Sequence, residues 1–391
     1  ITALQNSVAH YYQRASSADY LGVDPTRRSL TGTGGYVKVG RKGNAKWNFS
    51  ETFTWSSPGF DLNDMGYMKE TDYLMNETEI MYRQTDIWKI FRYNAFTLSQ
   101  KNMWNYGGTP FSNNASLRWQ SMTMNRYEWD VKETFAWNWL DSRLLRGGPD
   151  VRFGSYFLTS AKFNTDKAKR MMFMLKYEGD HNFEGNRFNT ISPSLTFRLG
   201  NHVYLSGQLD YAWNTDEMQY VATTSPLSSS SLTPYYYVMG HMDQKTYGLT
   251  LKLQVNVTPD ISIQFYGAPF TSIAKYDDFK LAADTKSHTF ENRFQRIDPD
   301  QLTYADGVYT IGEGAGQMPF RNPDFRFNEF RSNLVARWEY LPGSTLYFVW
   351  EHRMSNRDNW YSSGWGSNLD RMWGLPATNT FMIKMNYWFN L

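Results

Sequence analysis

Histidine, serine and aspartate side chains could carry catalysis or hold a metal, but their spacing here supports neither role. None of the six histidines lies at metal-ligand spacing from another histidine or from a carboxylate. A serine hydrolase needs a serine and a histidine that converge in space, and no Gly-x-Ser-x-Gly elbow is present. The absence of cysteine excludes disulfides and thiolate metal sites. We predict no catalytic residue, no metal and no cofactor. The histidines are His10, His181, His202, His241, His288 and His352.

Two segments have the composition of ligand-binding loops. Residues 32–35 read Gly-Thr-Gly-Gly, but no Lys-Ser/Thr pair follows them, so we interpret them as loop glycines. Segment 273–327 is long enough to be functional, and Asp306-Gly307 within it predicts a small hairpin. The segment could be a solvated loop, a constriction inside the fold, an outer cap or a calcium site, although its spacing matches no EF-hand. Its aspartates are Asp277, Asp278, Asp298, Asp300 and Asp306.

The composition indicates which larger elements must position these residues. Aromatic residues are 17% of the 391 residues, yet the mean hydropathy is −0.61. Aromatic rings scattered among polar residues are typical of transmembrane β-barrels, in which rings meet the lipid interfaces and polar side chains face inward. A net charge of +2 gives no reason to expect nucleic acid. The sequence has no apolar run of roughly 18 residues, so we predict no transmembrane helix.

Segment 246–266 shows the repeating unit most clearly. Apolar residues occupy every second position from Leu249 to Val257, and polar residues occupy the positions between them. Since side chains alternate faces along a strand, this segment has one apolar and one polar face. Thr258-Pro259-Asp260 predicts a tight turn, after which the alternation resumes. The pattern predicts a hairpin of two strands, each long enough to cross a bilayer.

Similar segments recur along the whole chain, and their connections alternate between short and long. This alternation favours an all-β, antiparallel up-and-down barrel of about sixteen strands, within a range of roughly 14 to 18, with short periplasmic turns and long outside loops. An even strand number places both termini on the periplasmic side. The chain would be a single domain, 1–391, with an insertion at 273–327. The predicted strands are 2–16, 31–40, 46–56, 72–83, 91–101, 112–122, 126–139, 150–163, 170–181, 187–199, 202–215, 236–258, 261–272, 328–341, 344–354 and 379–391.

Aromatic residues mark both ends of two of these strands. Segments 126–139 and 46–56 carry tryptophans near each end of one face, as expected for rings at two lipid interfaces. Glu133 and Glu51 interrupt that face near mid-strand. Either a β-bulge or a shifted register turns these acids away, or this part of the wall faces a protein partner.

The two ends of the chain also bear on this interpretation. The last segment alternates aromatic and polar residues up to its final residue, which suits a closing barrel strand and resembles the C-terminal signal read by the barrel assembly machinery. Leu391 stands where phenylalanine is commonest in that signal. The chain begins with Ile1 rather than methionine, so we expect processing or truncation at its start.

A set of short motifs occurs in order along nearly the whole chain. They are Ser-Pro-Gly-Phe at 57–60, Asn-Asp-Met-Gly at 63–66, Trp-Asn-Tyr-Gly-Gly at 104–108, Ser-Arg-Leu-Leu-Arg-Gly-Gly-Pro at 142–149, Asp-Gln-Lys-Thr at 243–246, Tyr-Gly-Ala-Pro-Phe at 266–270, Asn-Pro-Asp-Phe at 322–325 and the segment 332–344. In these motifs the chain resembles the C-terminal barrel of an uncharacterised outer-membrane family, domain of unknown function 5916. The resemblance implies location and fold, but no reaction and no catalytic residues. Members usually carry an upstream domain similar to family-9 carbohydrate-binding modules, which would be missing here.

These observations predict an integral outer-membrane barrel of a Gram-negative bacterium. Its function would be passage of small polar solutes, gated by the long loops. The alternatives are a scaffold that docks another outer-membrane protein or a surface lipoprotein, possibly for glycan handling, and an outer-membrane hydrolase. Its lipid partner would be lipopolysaccharide or phospholipid. The predicted lumen-lining residues are Lys252, Gln254, Asn256, Arg337, Glu339, Lys384 and Asn386. The predicted lipid-facing residues are Leu249, Leu251, Leu253, Val255, Val257, Trp129, Trp137 and Phe389. Glu51 and Glu133 are the candidates for a partner-facing role.

Overall fold

A computed structural model describes residues 1–14, 20–63, 66–137, 139–200, 202–227, 235–359 and 364–389. The described chain is all-β, apart from the helices α1 (Thr2–Gln5) and α2 (Trp365–Trp373) and three short 3₁₀ turns. None of the helices in these ranges is long and apolar enough to span a membrane. The strands are β1 (Gly34–Arg41), β2 (Trp47–Ser56), β3 (Tyr73–Gln84), β4 (Phe91–Trp104), β5 (Pro110–Thr123), β6 (Glu128–Trp137), β7 (Trp139–Asp141), β8 (Val151–Phe153), β9 (Tyr156–Asn164), β10 (Met171–Asn182), β11 (Arg187–Leu199), β12 (Val203–Thr224), β13 (Tyr236–Asn256), β14 (Ile261–Ala282), β15 (Phe294–Arg296), β16 (Leu302–Ala305), β17 (Val308–Ile311), β18 (Met318–Arg321), β19 (Phe325–Leu341), β20 (Ser344–Asp358) and β21 (Thr378–Asn386).

One large sheet of sixteen strands contains nearly all of this structure. Fifteen strands follow one another in the order β1-β2-β3-β4-β5-β6-β9-β10-β11-β12-β13-β14-β19-β20-β21, and β15 adds to the outer part of β14. Every neighbouring pair is antiparallel. The prediction of an antiparallel sheet in which sequence neighbours pair is therefore confirmed.

The sheet has two edges, β1 and β21. Among the described residues, β1 pairs only with β2 and β21 only with β20, so no pair closes the sheet into a barrel. Both edge strands are exposed along most of their length. Because fifteen antiparallel strands alternate direction, β1 and β21 run the same way. The predicted barrel closure is thus not found in this structure.

The first predicted strand, 2–16, is not a strand in the part of it that the structure describes. Thr2–Gln5 forms α1, and turns follow. The side chain of Gln5 donates to the carbonyl of Asp24 at 2.8 Å and accepts from its N–H at 2.7 Å, while Arg14 forms an ion pair with Asp72 at 2.7 Å. These side chains are buried by loops, so long-range polar contacts replace a strand ladder here.

All the long connections leave the same end of the sheet. The turns 42–46, 85–90, 124–127, 165–170, 257–260 and 342–343 and the link from β11 to β12 form the short-turn end. All the other connections between sheet strands form the long-connection end, where two of them, 105–109 and 183–186, are as short as the turns. The Pro342-Gly343 turn fits type II geometry, since Gly343 has a φ of 79°. β1 starts at the long-connection end and β21 finishes at the short-turn end. The sheet path of fifteen strands therefore begins and finishes at opposite ends of the sheet, whereas an even number of strands would bring the two to the same end.

The segment predicted as a long insertion, 273–327, is ordered. β14 extends through its first part to Ala282, and β16, β17 and β18 form a separate three-stranded sheet. The Asp306-Gly307 hairpin is confirmed, with φ of 50° and 80° at the two residues. Phe320 and Ile311 of this small sheet pack on Val238 and Phe279 of β13 and β14. Apolar packing at the long-connection end therefore makes the segment a folded cap rather than a solvated loop.

Candidate functional site

One face of the large sheet is apolar along most of its width. Leu205, Leu251, Phe348 and Phe381 on this face are 42%, 40%, 39% and 64% exposed, so no other part of the described chain covers them. We call it the apolar face. Its cross-strand pairs include Phe163–Leu175, Phe173–Leu195, Leu205–Leu253, Leu253–Phe265, Phe265–Leu334, Ala336–Phe348 and Phe348–Ile383.

The residues predicted to face lipid lie on this face or just beyond it. Leu249, Leu251, Leu253 and Val255 alternate along β13, and Trp129 and Trp137 occupy the two ends of β6 on the same face. Val257 and Phe389 follow the ends of β13 and β21 and are exposed. The structure therefore brings six of the eight onto one surface, and leaves two in the chain next to it.

The opposite face is polar, and the predicted lumen-lining residues lie on it. Asn256, Ser262, Arg337, Tyr347 and Lys384 form one continuous row across five neighbouring strands. Arg337 donates to Glu339 at 2.5 Å in the same region. The remaining predicted residues share this face, at neighbouring heights of the same strands: Lys252, Gln254 and Asn386.

The polar face lines an open cavity of about 610 Å³. Residues from seven strands, β3 to β6 and β9 to β11, line it together, which requires the polar face to curve inward. The lining carries both signs of charge: its basic residues are Lys101 and Lys132, and its acids are Glu77, Glu178 and Asp180. A hydrated, mixed-charge surface of this kind suits small polar molecules.

A second cavity, of about 370 Å³, lies at the long-connection end and shares Lys101 with the first. Arg14, Glu70, Asp141 and Arg143 belong to its lining. Because the N-terminal segment contributes Arg14 here, it forms part of the wall of this outer cavity. The two cavities meet at Lys101 of β4, and the lining of the outer one mixes charged residues with apolar ones such as Met103 and Phe111.

Asp72 anchors the N-terminal segment to that wall. The guanidinium of Arg14 and the hydroxyl of Tyr20 both donate to Asp72 Oδ2 at 2.7 Å, and the N–H of Tyr106 donates to Oδ1 at 3.1 Å. Burial raises the pKa of the Asp72 carboxyl above its usual value, against the opposing effects of Tyr20 and Arg14. Burial and the contact with Asp72 also raise the pKa of the Tyr20 hydroxyl.

Glu51 and Glu133 do lie on the apolar face. Glu51 pairs with Thr78 and Glu133 pairs with Thr159, in strand pairs without a register shift. The alternative that a bulge or a shifted register turns the acids away is therefore wrong. Thr78 and Thr159 each donate a hydroxyl hydrogen bond of 2.6 Å to the facing carboxylate, and Asn76 also donates to Glu51.

Other polar residues lie on the apolar face of the intervening strands, although the residue in register with Glu133 on β5 is Leu117. Asn76 pairs with Asn102, Thr78 with Gln100 and Asn102 with Asn113, all on the apolar face. We call this set the polar track. It has members on six strands, from β2 to β6 and on to β9. The two acids and their threonine partners lie near mid-strand, whereas Asn102 and Asn113 lie near the long-connection ends of β4 and β5. Ala115 and Leu117 of β5 lie between these amides and Glu133. Its members are Glu51, Asn76, Thr78, Gln100, Asn102, Asn113, Glu133 and Thr159.

Sequence reasoning identified the two acids of the track but missed the amides and threonines. The sequence signal was a repeat: Trp-Asn-Phe-Ser-Glu-Thr-Phe-Thr-Trp at 47–55 and Trp-Asp-Val-Lys-Glu-Thr-Phe-Ala-Trp at 129–137. Each copy places a glutamate midway between two tryptophans. The partners on neighbouring strands follow only from register, which the repeat does not specify.

The described residues offer little for catalysis. They contain no group of three or more His, Asp or Glu side chains that could hold a metal. Ser7 Oγ lies 3.2 Å from His10 Nδ1, the kind of contact that a hydrolase needs. However, the pair is a local contact in a buried turn, and the other ring nitrogen, His10 Nε2, is buried without a hydrogen-bond partner. No carboxylate therefore orients this histidine as a base.

Comparison with known proteins shows the family. The model of the family described as Domain of unknown function (DUF5916) matches residues 4–391, and the chain belongs to this family. Searches of curated proteins and of solved structures found no significant match.

Proposed function

We propose that this DUF5916 member forms the wall of an outer-membrane β-barrel in a Gram-negative bacterium, and that small polar solutes pass along its polar face. The two-faced sheet carries the proposal. Its apolar face is uncovered across most of the strands, whereas its polar face curves around a charged cavity of about 610 Å³. Burying the apolar face in lipid, with the polar face around water, satisfies both surfaces.

The connections support an asymmetric placement in the membrane. Turns of a few residues at one end and folded connections at the other match the periplasmic and outer sides of such barrels. The cap of β16 to β18 and the Asp72 anchor both lie at the long-connection end: the cap packs on β13 and β14, and Arg14 of the anchor lines the cavity of about 370 Å³. We propose that these folded connections control access to the polar face.

The direction of the two edge strands limits how the sheet can close into a barrel. Since β1 and β21 run the same way, they close either as a parallel pair or around one further strand that is antiparallel to both. The chain has no cysteine, so cysteine pairs introduced along β1 and β21 report the spacing cleanly. A direct pair allows disulfides at a Cα separation of roughly 4.4–6.8 Å. One intervening strand doubles the spacing to about 10 Å, which only a longer cross-linker spans. Edges beyond either reach would argue against a closed barrel.

Ion conductance tests the passage itself. Purified protein reconstituted in planar bilayers is expected to give discrete current steps with weak ion selectivity, because the lining carries both charges. Lys101→Glu should shift selectivity toward cations, since Lys101 lines both cavities. Lys42→Glu, on an exposed short turn, is the matched charge change and should shift it less. Protein that inserts into the bilayer but carries no current would overturn the passage role.

The polar track favours a second role, a scaffold that docks another membrane component. The apolar face carries two carboxylates near mid-strand, where contact with lipid alone would be unfavourable. This role is compatible with passage, because the track and the cavity lie on opposite faces of the sheet. Gentle extraction followed by mass spectrometry distinguishes them: a barrel that always migrates alone would exclude a stable scaffold.

A further inference from the structure

We propose that the polar track is a docking surface for a second integral membrane protein, one that presents lysine or arginine side chains at the middle of its own membrane-spanning wall. The inference rests on the proposed membrane location of the sheet. It adds the position of the interface and the chemistry of the partner. The contacts of Glu51 and Glu133, and the residues that surround them, carry the argument.

Lipid acyl chains alone cannot form hydrogen bonds with the polar side chains of the track. Glu51 lies between Phe49 and Phe53, and Glu133 lies between Val131 and Phe135, along the same strand faces. Acyl chains offer no hydrogen-bond partner, so polar groups in the hydrocarbon region are satisfied by protein or remain costly. Thr159 supplies one such bond to Glu133, which is otherwise exposed. A carboxylate has room for several more donors.

The two acids are equivalent in geometry, which indicates two matched contact points. Each glutamate lies four residues from a tryptophan on either side, and each accepts a 2.6 Å hydrogen bond from the threonine directly across. Four strand spacings, about 19 Å measured along the sheet, separate β2 from β6. In register with Glu133, the strands between them carry Leu117, Leu98 and Ile80, and the amides lie closer to the long-connection end.

Charge decides the kind of partner. The track has two acids and no basic residue, so it is complementary to a surface with cationic or amide donors at the same height. A second copy of this chain does not fit. Two tracks that face each other would oppose acids to acids, and the mid-height pairs of the apolar face from β10 to β21 are aliphatic or aromatic.

Site-specific photo-cross-linking in native outer membranes tests the inference. A photoreactive residue replaces Leu117, which pairs with Glu133 in register and is 57% exposed. The matched probe replaces Leu251 on the aliphatic part of the same face. We expect the Leu117 probe to yield one protein adduct, with lysine or arginine near the linked residue of a membrane-protein peptide. We expect the Leu251 probe to yield lipid adducts.

The dependence on the two acids separates recognition from mere proximity. Combining the Leu117 probe with Glu51→Leu and Glu133→Leu should lower the adduct yield at least about tenfold, and the isosteric Glu51→Gln and Glu133→Gln pair should lower it less. Heat-modifiable migration on gels checks that each variant is folded.

Four results would overturn the docking surface. They are lipid adducts alone at the Leu117 probe, a dimer of this chain, a partner peptide without basic residues, and an adduct that persists in the double leucine variant. If neither probe labels lipid and an alkaline wash releases the chain from membranes, the membrane location itself fails. That outcome is distinct from a failed docking surface, in which the Leu251 probe still labels lipid.

Discussion

The strands from β2 to β9 and the strands from β10 to β21 share one apolar face but differ at its middle. In the first region, Glu51 and Glu133 interrupt the apolar row at mid-strand, each beside a threonine on the next strand. In the second region, the same height is occupied by residues such as Leu195, Leu251 and Phe265. Side chains alternate between the two faces equally well in both regions, so the alternation assigns each residue to a face. Whether lipid or protein covers a part of the apolar face depends on which side chains lie there.

The largest effect is expected from a charge in the second region. Leu251→Arg should lower the free energy of unfolding in lipid vesicles by about 2–4 kcal/mol, because it places a cation in the middle of a lipid-facing wall. Urea titration followed by tryptophan fluorescence measures it. The control Thr250→Arg, on the polar face of the same strand, should change the stability far less. Equal losses in the two variants would contradict the assignment of the faces.

Removing a hydrogen bond within the track comes next. Thr159→Val takes away the hydroxyl donor to Glu133 and should cost about 1.5–3 kcal/mol in partner-free vesicles, as expected for a bond to a charged group. Thr159→Ser keeps the hydroxyl and should cost little. Thr78→Val should cost less than Thr159→Val, since Asn76 still donates to Glu51. If the three variants unfold at the same urea concentration, the Glu–Thr pairs do not stabilise the sheet.

Removing the acids altogether should have the opposite sign. In vesicles without a partner, Glu51→Leu and Glu133→Leu are each expected to raise the free energy of unfolding by about 1 kcal/mol, because a lipid-facing acid disappears. The reverse change, Leu251→Glu, should lower the free energy of unfolding. A double leucine variant that is less stable than the native chain would show that the acids stabilise the sheet without a partner, and the two regions would then differ less than proposed.

The smallest effect concerns two acids that precede strands in the two regions. Asp72 comes before β3 and Asp324 before β19, and each accepts a backbone N–H, from Tyr106 and Tyr276 respectively. Burial raises the pKa of both carboxyls above the usual value.

The sign of the pH dependence follows from these raised pKa values. As pH falls through them, the folded chain binds protons that the unfolded chain does not yet bind, so the free energy of unfolding rises. The rise ends near pH 4, where the unfolded carboxyls also take up protons. Asp72→Asn and Asp324→Asn should each remove part of this rise, as measured by urea titration between pH 7 and pH 4. An unchanged profile in both variants would mean that these carboxyls do not titrate differently on folding.

The sequence pattern predicted most strands of the sheet because side-chain alternation is a local property. Fifteen of the sixteen predicted segments contain a strand of the sheet path, and the pairing follows sequence order. The exception, 2–16, shows the limit. Contacts of Gln5 with Asp24 and of Arg14 with Asp72 decide its course. Such contacts join residues that are distant in sequence, so no local sequence pattern predicts them.

The candidate site shows the same division. The lumen-lining and lipid-facing residues of β13 could be assigned to opposite faces from the sequence, because adjacent positions on a strand point opposite ways. The polar track could not be assembled in this way. Asn102 lies next to Asn76 only because β3 and β4 pair in one particular register, and a shift of one residue would turn one of the two to the other face.

By itself, the sequence determined which residues alternate, where strands turn, and that Glu51 and Glu133 interrupt an apolar row. These features depend on the geometry of a single extended chain. Only the tertiary structure decided that Glu51 faces Thr78, that residues from seven strands line one cavity, and that β1 and β21 run the same way at two unpaired edges. Those facts depend on register and on strand number, which are properties of the assembled sheet.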